Sequence, residues 1–269
     1  MNQEPAEAGA LAARALLAFW RAAGVDMEEA EAVFAGAPLR APTSAAAPSA
    51  PKRTRAQGQK SPIDDAKALA AAANSVAELR AAVERFDGCS LKTTARTTVF
   101  ADGTENARVL LIGEAPGKEE DEQGKPFVGR SGQLLDRMLA SIGLNRRENL
   151  LISNTIYWRP PGNRPPTQGE IAVCLPFVER LIAVMKPEIL VLAGGSAAQI
   201  VLRRDESVGR LRGRKLAYQA EGAPSVNTLV MLHPAYLLRR PQEKRVAWND
   251  LLLLEAWLEE LGVARAATL

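Results

Sequence analysis

Histidine occurs once in this 269-residue chain and cysteine twice. Two cysteines, Cys89 and Cys174, exclude a disulfide-dense secreted scaffold and suit a reducing cytosol. Aromatic residues make up only 5% of the chain, so each Phe and Trp carries weight in any reading. No run of 18 apolar residues exists, which excludes a membrane-spanning helix. The opening stretch, MNQEPAEAGALAARALLAFW, has no basic region ahead of its apolar part and reads as neither a signal peptide nor an anchor. The phosphate-loop pattern GxxxxGK[ST] is absent. The turn GEAPG at 113–117 is too short and too acidic for a dinucleotide fingerprint, because a carboxylate at its tip repels a pyrophosphate.

A hydrophobic content of 47% is enough to bury a core. The net charge of +3 and sequence pI near 9.0 permit a polyanionic partner without requiring one. The charge is clustered. Residues 1–35 hold six acids and two bases, 51–60 hold four bases and no acid, and 203–215 hold six bases and two acids. Such basic clusters suit phosphate contacts, and they equally suit a solvated tail and a solvated loop.

Three parts follow from pattern and composition. Residues 1–35 read as a small helical extension, with Leu11, Leu16, Leu17, Trp20 and Val25 on one apolar face. Residues 36–62, rich in Ala, Pro and basic residues, read as a flexible linker that cannot bury enough apolar surface to offset ordering. Residues 63–269 then form the compact domain. Within it, apolar runs at 109–113, 150–153, 189–193 and 228–232 predict buried strands. Helical stretches are predicted at 64–86 (with a break at Asn74-Ser75), 132–142, 168–185, 196–202 and 246–261. Strands separated by helices predict an α/β fold of three layers, α/β/α, around a four-stranded, mainly parallel sheet.

In such sheets ligands bind beyond the carboxyl ends of the strands. Glu114 follows the first strand, Asn154 the second, Gly194-Gly195-Ser196 the third and His233-Pro234 the fourth. Each residue has a plain structural alternative: an asparagine can cap a turn, a glutamate can pair with an arginine, and a lone histidine is more often structural. Together they make a polar rim on an α/β enzyme with basic loops.

The segment VLLIGEAPGKEEDEQGKPFVGRSGQLL at 109–135 resembles the family-4 uracil-DNA glycosylases. NTIYWRPPGNRPPT at 154–167 resembles that family's uracil-recognition block, and HPAYLLRRP at 233–241 its histidine motif and DNA-penetrating loop. The resemblance covers roughly residues 86–260. It implies an enzyme of base excision repair that flips uracil out of DNA and hydrolyses its N-glycosidic bond. Phe127 would stack on the flipped base, and Asn154 would read its edge. His233 would face O2, Glu114 and Glu120 would lie near the reacting sugar, and Ala115 would line the uracil pocket. Arg130, Ser196, Leu237, Leu238 and Arg239 would meet DNA, the leucines and Arg239 by entering the duplex. Between the glutamates, the sequence favours Glu114 for positioning water and does not settle the matter. Uracil-DNA binding without turnover and a broader deaminated-base activity are the competing readings.

The family holds a [4Fe–4S] cluster on four cysteines. Here the corresponding positions are Cys89, Lys92, Trp158 and Cys174. Two thiols cannot meet that requirement, so no metal and no cofactor are expected, and Cys89 and Cys174 are remnants that should still lie together. The basic insertion of a covalently trapping relative is also missing, which implies turnover. The expected partners are uracil-containing DNA, single- or double-stranded, free uracil as product and a protein bound through residues 1–35, with no membrane. The expected location is cytoplasmic, in the bacterial cytosol or nucleoid.

Overall fold

The computed structural model describes residues 61–220 and 224–266. The helical extension expected at 1–35, and the linker up to residue 60, lie outside the described residues. Ser61 and Pro62 start the domain: the Ser61 hydroxyl accepts the amide of Asp64 at 3.1 Å, and the proline takes the first helical position, where its missing N–H costs nothing. This opens α1 (Pro62–Ala72). Ser75 caps α2 (Val76–Arg85) in the same way through the amide of Glu78, which accounts for the predicted break.

Six strands form one sheet: β1 (Ala101–Gly103), β2 (Val109–Gly113), β3 (Leu150–Asn154), β4 (Ile189–Ala193), β5 (Leu216–Tyr218) and β6 (Val226–Met231), in the order β1-β3-β2-β4-β6-β5. The inner four are parallel, as expected. The expectation of four strands is corrected to six by β1 and β5, which pair antiparallel on the two edges. Each edge strand has three residues, only one of them buried, so neither leaves an apolar run in the sequence. Pairing with an already formed neighbour makes them strands.

Side chains alternate across the sheet, so successive residues of the buried strands feed two cores. Leu110, Ile112, Leu190, Leu192 and Val230 pack with α1, α2 and α5 (Gln168–Met185) on one face. Val109, Leu111, Ile189, Val191, Leu229 and Met231 pack on the other with Leu135 and Leu139 of α4 (Arg130–Ala140) and Leu251, Leu254 and Trp257 of α9 (Lys244–Glu260). Among the described residues, further α-helices are α3 (Lys118–Gln123), α6 (Gly195–Leu202), α7 (Val208–Leu211) and α8 (Pro234–Arg239). Among the described residues, no helix is long and apolar enough to cross a membrane.

The chain leaves β2 toward β3 on one side and returns past it to β4 on the other. That switch in direction opens a crevice above the carboxyl ends of these strands, where the chemistry of such sheets is placed.

Candidate active site

A cleft of about 660 Å³ occupies the crevice. Glu114, Ala115, Glu120, Phe127, Arg130 and Asn154 line it, and His233, Leu238 and Arg239 close its far side. The structure therefore gathers nine of the residues singled out in the sequence. A second cleft of about 630 Å³, between α1, α5 and β5, contains none of them.

Backbone pairing fixes the floor. Gly113 and Asn154 stand opposite each other at the ends of β2 and β3, and the ladder runs on through Thr155 N–H to Gly113 O (2.9 Å) and Ile156 N–H to Glu114 O (3.0 Å). Glu114 and Asn154 are thereby held on neighbouring chains. Asn154 is 2% exposed, and its Oδ1 has no hydrogen-bond partner within the described residues. A buried acceptor left bare costs about 1–3 kcal/mol, so its presence on a cleft wall calls for a donor on a ligand.

Phe127 forms the wall beside it. Its ring lies 5.6 Å from that of His233, tilted by 30°, and the residue is 5% exposed. Its φ of 55° is unusual for a bulky side chain and puts the ring over Gly113. A β-carbon on Gly113 would come within 2.5 Å of the Phe127 ring and 2.6 Å of Asn154 Oδ1, so only glycine lets both groups settle there.

His233 caps α8, its Nδ1 accepting the amide of Ala235 at 3.1 Å. With Nδ1 used as an acceptor, the neutral ring carries its proton on Nε2. Burial, aided by Arg239 and opposed by Glu120, lowers its pKa to about 4. The imidazole is therefore neutral at physiological pH and is a donor through Nε2 alone.

The two glutamates differ. Glu120, 7% exposed, accepts the amides of Val128 and Gly129 on Oε1, each at 2.9 Å, and that of Gly117 on Oε2 at 3.0 Å. Its carboxylate is spent on tying the 113–117 turn to the segment that carries Phe127. The Glu114 carboxylate makes no hydrogen bond or ion pair among the described residues and remains available to a ligand.

Two of the expected DNA-contacting residues sit elsewhere. Leu237 is fully buried with Leu134, Leu232 and Ala247, so the expectation that it enters a duplex is corrected. The segment is a short helix, and at that position it points into the core, leaving Leu238 and Arg239 toward the cleft. Ser196 lies in the first turn of α6, outside the lining of the cleft. The wall also takes in Pro160, Asn163 and Arg164 of the 154–167 block, none of which was given a role of its own from the sequence. Arg164 grips Glu170 with Nη1 at 2.9 Å and Nη2 at 2.6 Å, and this arginine holds the Glu170 carboxyl at about pKa 2. Glu170 in turn caps α5 through the amide of Thr167, so the wall is tied to a long helix. Its PPGNRPP composition was the available signal.

The residues at the cluster positions do lie together. Cys89 and Cys174 are both buried, and the interaction between the two thiols, together with burial, raises the Cys174 thiol well above its ordinary value. Trp158 is buried in the same core, 6.5 Å from the Phe86 ring, with its Nε1–H donated to Thr98 Oγ1 at 3.0 Å. The Lys92 amine donates to Glu84 O (2.6 Å), Phe86 O (3.1 Å) and Asp87 Oδ1 (2.7 Å). An indole and an ammonium group committed to protein oxygens are not iron ligands, so this site does not fit a four-thiolate cluster.

Fold and cleft define an α/β protein with a pocket at the carboxyl ends of a parallel sheet, furnished with one aromatic face, one bare amide oxygen and one neutral imidazole. The chain belongs to the uracil DNA glycosylase superfamily, which it matches over residues 100–252. A protein from Archaeoglobus fulgidus named Type-4 uracil-DNA glycosylase is 39% identical over 166 residues, covering 60% of this chain and 82% of its own length. Proteins of the same name from Pyrobaculum aerophilum and Thermotoga maritima are each 33% identical, over 65% and 67% of this chain and 91% and 93% of their own lengths.

Proposed function

We propose that this protein is a uracil-DNA glycosylase that hydrolyses the bond between uracil and deoxyribose, leaving an abasic site for base excision repair. The observation that carries the reading is the buried, unpartnered Oδ1 of Asn154 beside the Phe127 ring. Uracil presents an N3–H donor next to its O4 acceptor, which answers an amide. With the amide turned so that Oδ1 meets N3, cytosine sets an acceptor, N3, against that oxygen and a donor, N4–H, against the amide nitrogen. A site built to pair a polar edge rejects the base that cannot supply it. Family membership and the relatives named Type-4 uracil-DNA glycosylase point the same way.

The base leaves the stack, at a cost of a few kcal/mol, and lies against Phe127. As the C1′–N1 bond breaks, its electron pair goes to the base and negative charge gathers at O2. The Nε2–H of neutral His233 donates to that oxygen, a type of preorganised contact worth about 3–4 kcal/mol of barrier. The Glu114 carboxylate aims a water oxygen at C1′ and stabilises the positive charge on the sugar; as the C1′–O bond forms, the water gives a proton to that carboxylate, and the departing uracil anion takes up a proton from solvent. Glu120 holds the loops that place these groups. Arg130, Leu238 and Arg239 on the rim meet the DNA backbone and the gap left by the base. Catalysis proceeds without an iron–sulfur cluster. DNA of the bacterial cytosol or nucleoid is the substrate's location.

The experiment is uracil release from a labelled single-uracil oligonucleotide, with His233→Ala and Asn154→Asp in parallel. Release by the wild type is expected, with a loss of roughly a hundredfold or more in His233→Ala. Asn154→Asp should begin to release cytosine. Tight, uracil-dependent binding with no release would make the protein a sensor instead, and release of deaminated purines at a similar rate would widen the activity.

A further inference from the structure

We propose that Arg146 is a positioning residue for the base-stacking ring, acting on Phe127 from outside the pocket. The assignment of its purpose rests on the reading of Phe127 as the ring beneath the base.

Arg146 lies in the turn between α4 and β3, with its side chain 16% exposed. Its guanidinium donates to both peptide oxygens that lead into the ring: Nη1 to Pro126 O and Nη2 to Phe127 O, each at 2.9 Å. The same fork is held in place by two carboxylates from separate elements. Nη1 donates to Asp102 Oδ2 of β1 at 3.0 Å, and Nη2 and Nε donate to Asp136 Oδ1 of α4 at 2.8 and 3.2 Å. A planar guanidinium with donors in fixed directions can serve four oxygens at once, whereas an ammonium at that point cannot.

Phe127 needs such a grip. A non-glycine residue at φ 55° persists only where its surroundings over-determine it. Two other constraints act on the same peptide. Glu120 takes the two amides that follow, and a β-carbon on Gly132 would lie 1.9 Å from Phe127 O, so α4 presses against its back. Arg146 supplies the third constraint, on the carbonyl side. It lies in a different cleft from the base pocket, lined with Asp102, Asp136 and Lys125. A substitution there changes where the ring sits without removing any group that faces the base.

A purely structural ion-pair network would lower stability and affect every function alike. The test is a double-mutant cycle read by single-turnover uracil release: Arg146→Lys and Arg146→Ala in the native chain and in a Phe127→Ala background, with melting temperature recorded for each. A parallel series carries 4-fluorophenylalanine, the Phe127 signal being assigned by its loss in Phe127→Leu. Arg146→Lys should cut the release rate about ten- to a hundredfold, the scale of a small misplacement of a positioned group, and shift or broaden the Phe127 fluorine signal. In the Phe127→Ala background the same change should cost little more. An equal loss in both backgrounds, or an unmoved fluorine signal, would overturn the proposal. If Arg146→Ala does not fold, Arg146→Lys and Asp136→Asn carry the test. A wild type that releases no uracil, in which Arg146→Lys still moves the Phe127 signal, would overturn the glycosylase reading and leave standing only that Arg146 fixes the Phe127 ring.

Discussion

Glu120 accepts the backbone amide of Gly129 at 2.9 Å, and this bond joins the turn after β2 to the segment that carries Phe127. The sequence offered two glutamates for one catalytic task, and the hydrogen bonds separate them. Glu120→Gln keeps one acceptor oxygen and turns an NH2 toward amides that need an acceptor. It should lose about 1.5–3 kcal/mol of stability along with activity. Glu114→Gln should depress uracil release at an almost unchanged melting temperature. Chemical denaturation beside single-turnover kinetics distinguishes the two.

Gly113→Ala adds one carbon where the Phe127 ring and Asn154 Oδ1 already meet. Both groups must shift from the places they hold in the pocket. Uracil release should fall at least tenfold, a 1.4 kcal/mol effect, while binding to uracil-free DNA stays near the wild-type value. Equal losses in both assays would count against the packing argument.

The pH dependence follows from His233. Its pKa in the folded protein is about 4, below the ordinary 6.5, so between those values the unfolded chain binds the proton more readily than the native one. The stability linked to this residue is complete above pH 6.5 and is lost as the pH falls toward 4. His233→Gln should remove that part of the acid sensitivity, seen in melting temperatures across pH 4–7. The rate of uracil release should show no histidine limb between pH 5 and 8, since the donor stays neutral throughout. A fall with an apparent pKa near 6.5 would contradict it.

The purified protein should carry no stoichiometric iron, and chelation should leave its melting temperature and activity unchanged. Trp158→Cys removes a fully buried indole and should cost about 3–5 kcal/mol. Paired with Lys92→Cys, it places four thiols at these positions, and visible absorbance after reconstitution with iron and sulfide reports whether they can hold a cluster. Iron found in the unaltered chain would overturn the packing account of this site.

Much of the scaffold was legible along the chain. The runs 109–113 and 189–193 are the strands β2 and β4 to the residue, because a strand buried on both faces must be apolar throughout. Glu114, Asn154 and His233 were legible as a rim because polar residues that follow such runs have nowhere else to go. The edge strands β1 and β5 were not, since a half-exposed strand of three residues takes its form from the neighbour it pairs with. Leu237 shows the limit of motif reading: it stands beside Leu238 and Arg239 in one motif, yet the helical turn sends it into the core.

The sequence by itself determined the layered α/β sheet, the family and the presence of only two cysteines, because periodicity, motif spacing and residue identity are local properties. Only the tertiary structure decided which glutamate is free, which nitrogen of His233 donates and why Phe127 holds a left-handed turn. Each of those depends on hydrogen bonds between segments far apart in the chain: Glu120 to Gly129, Arg146 to Phe127, and a bare Asn154 oxygen that counts as bare only once everything around it has found a partner.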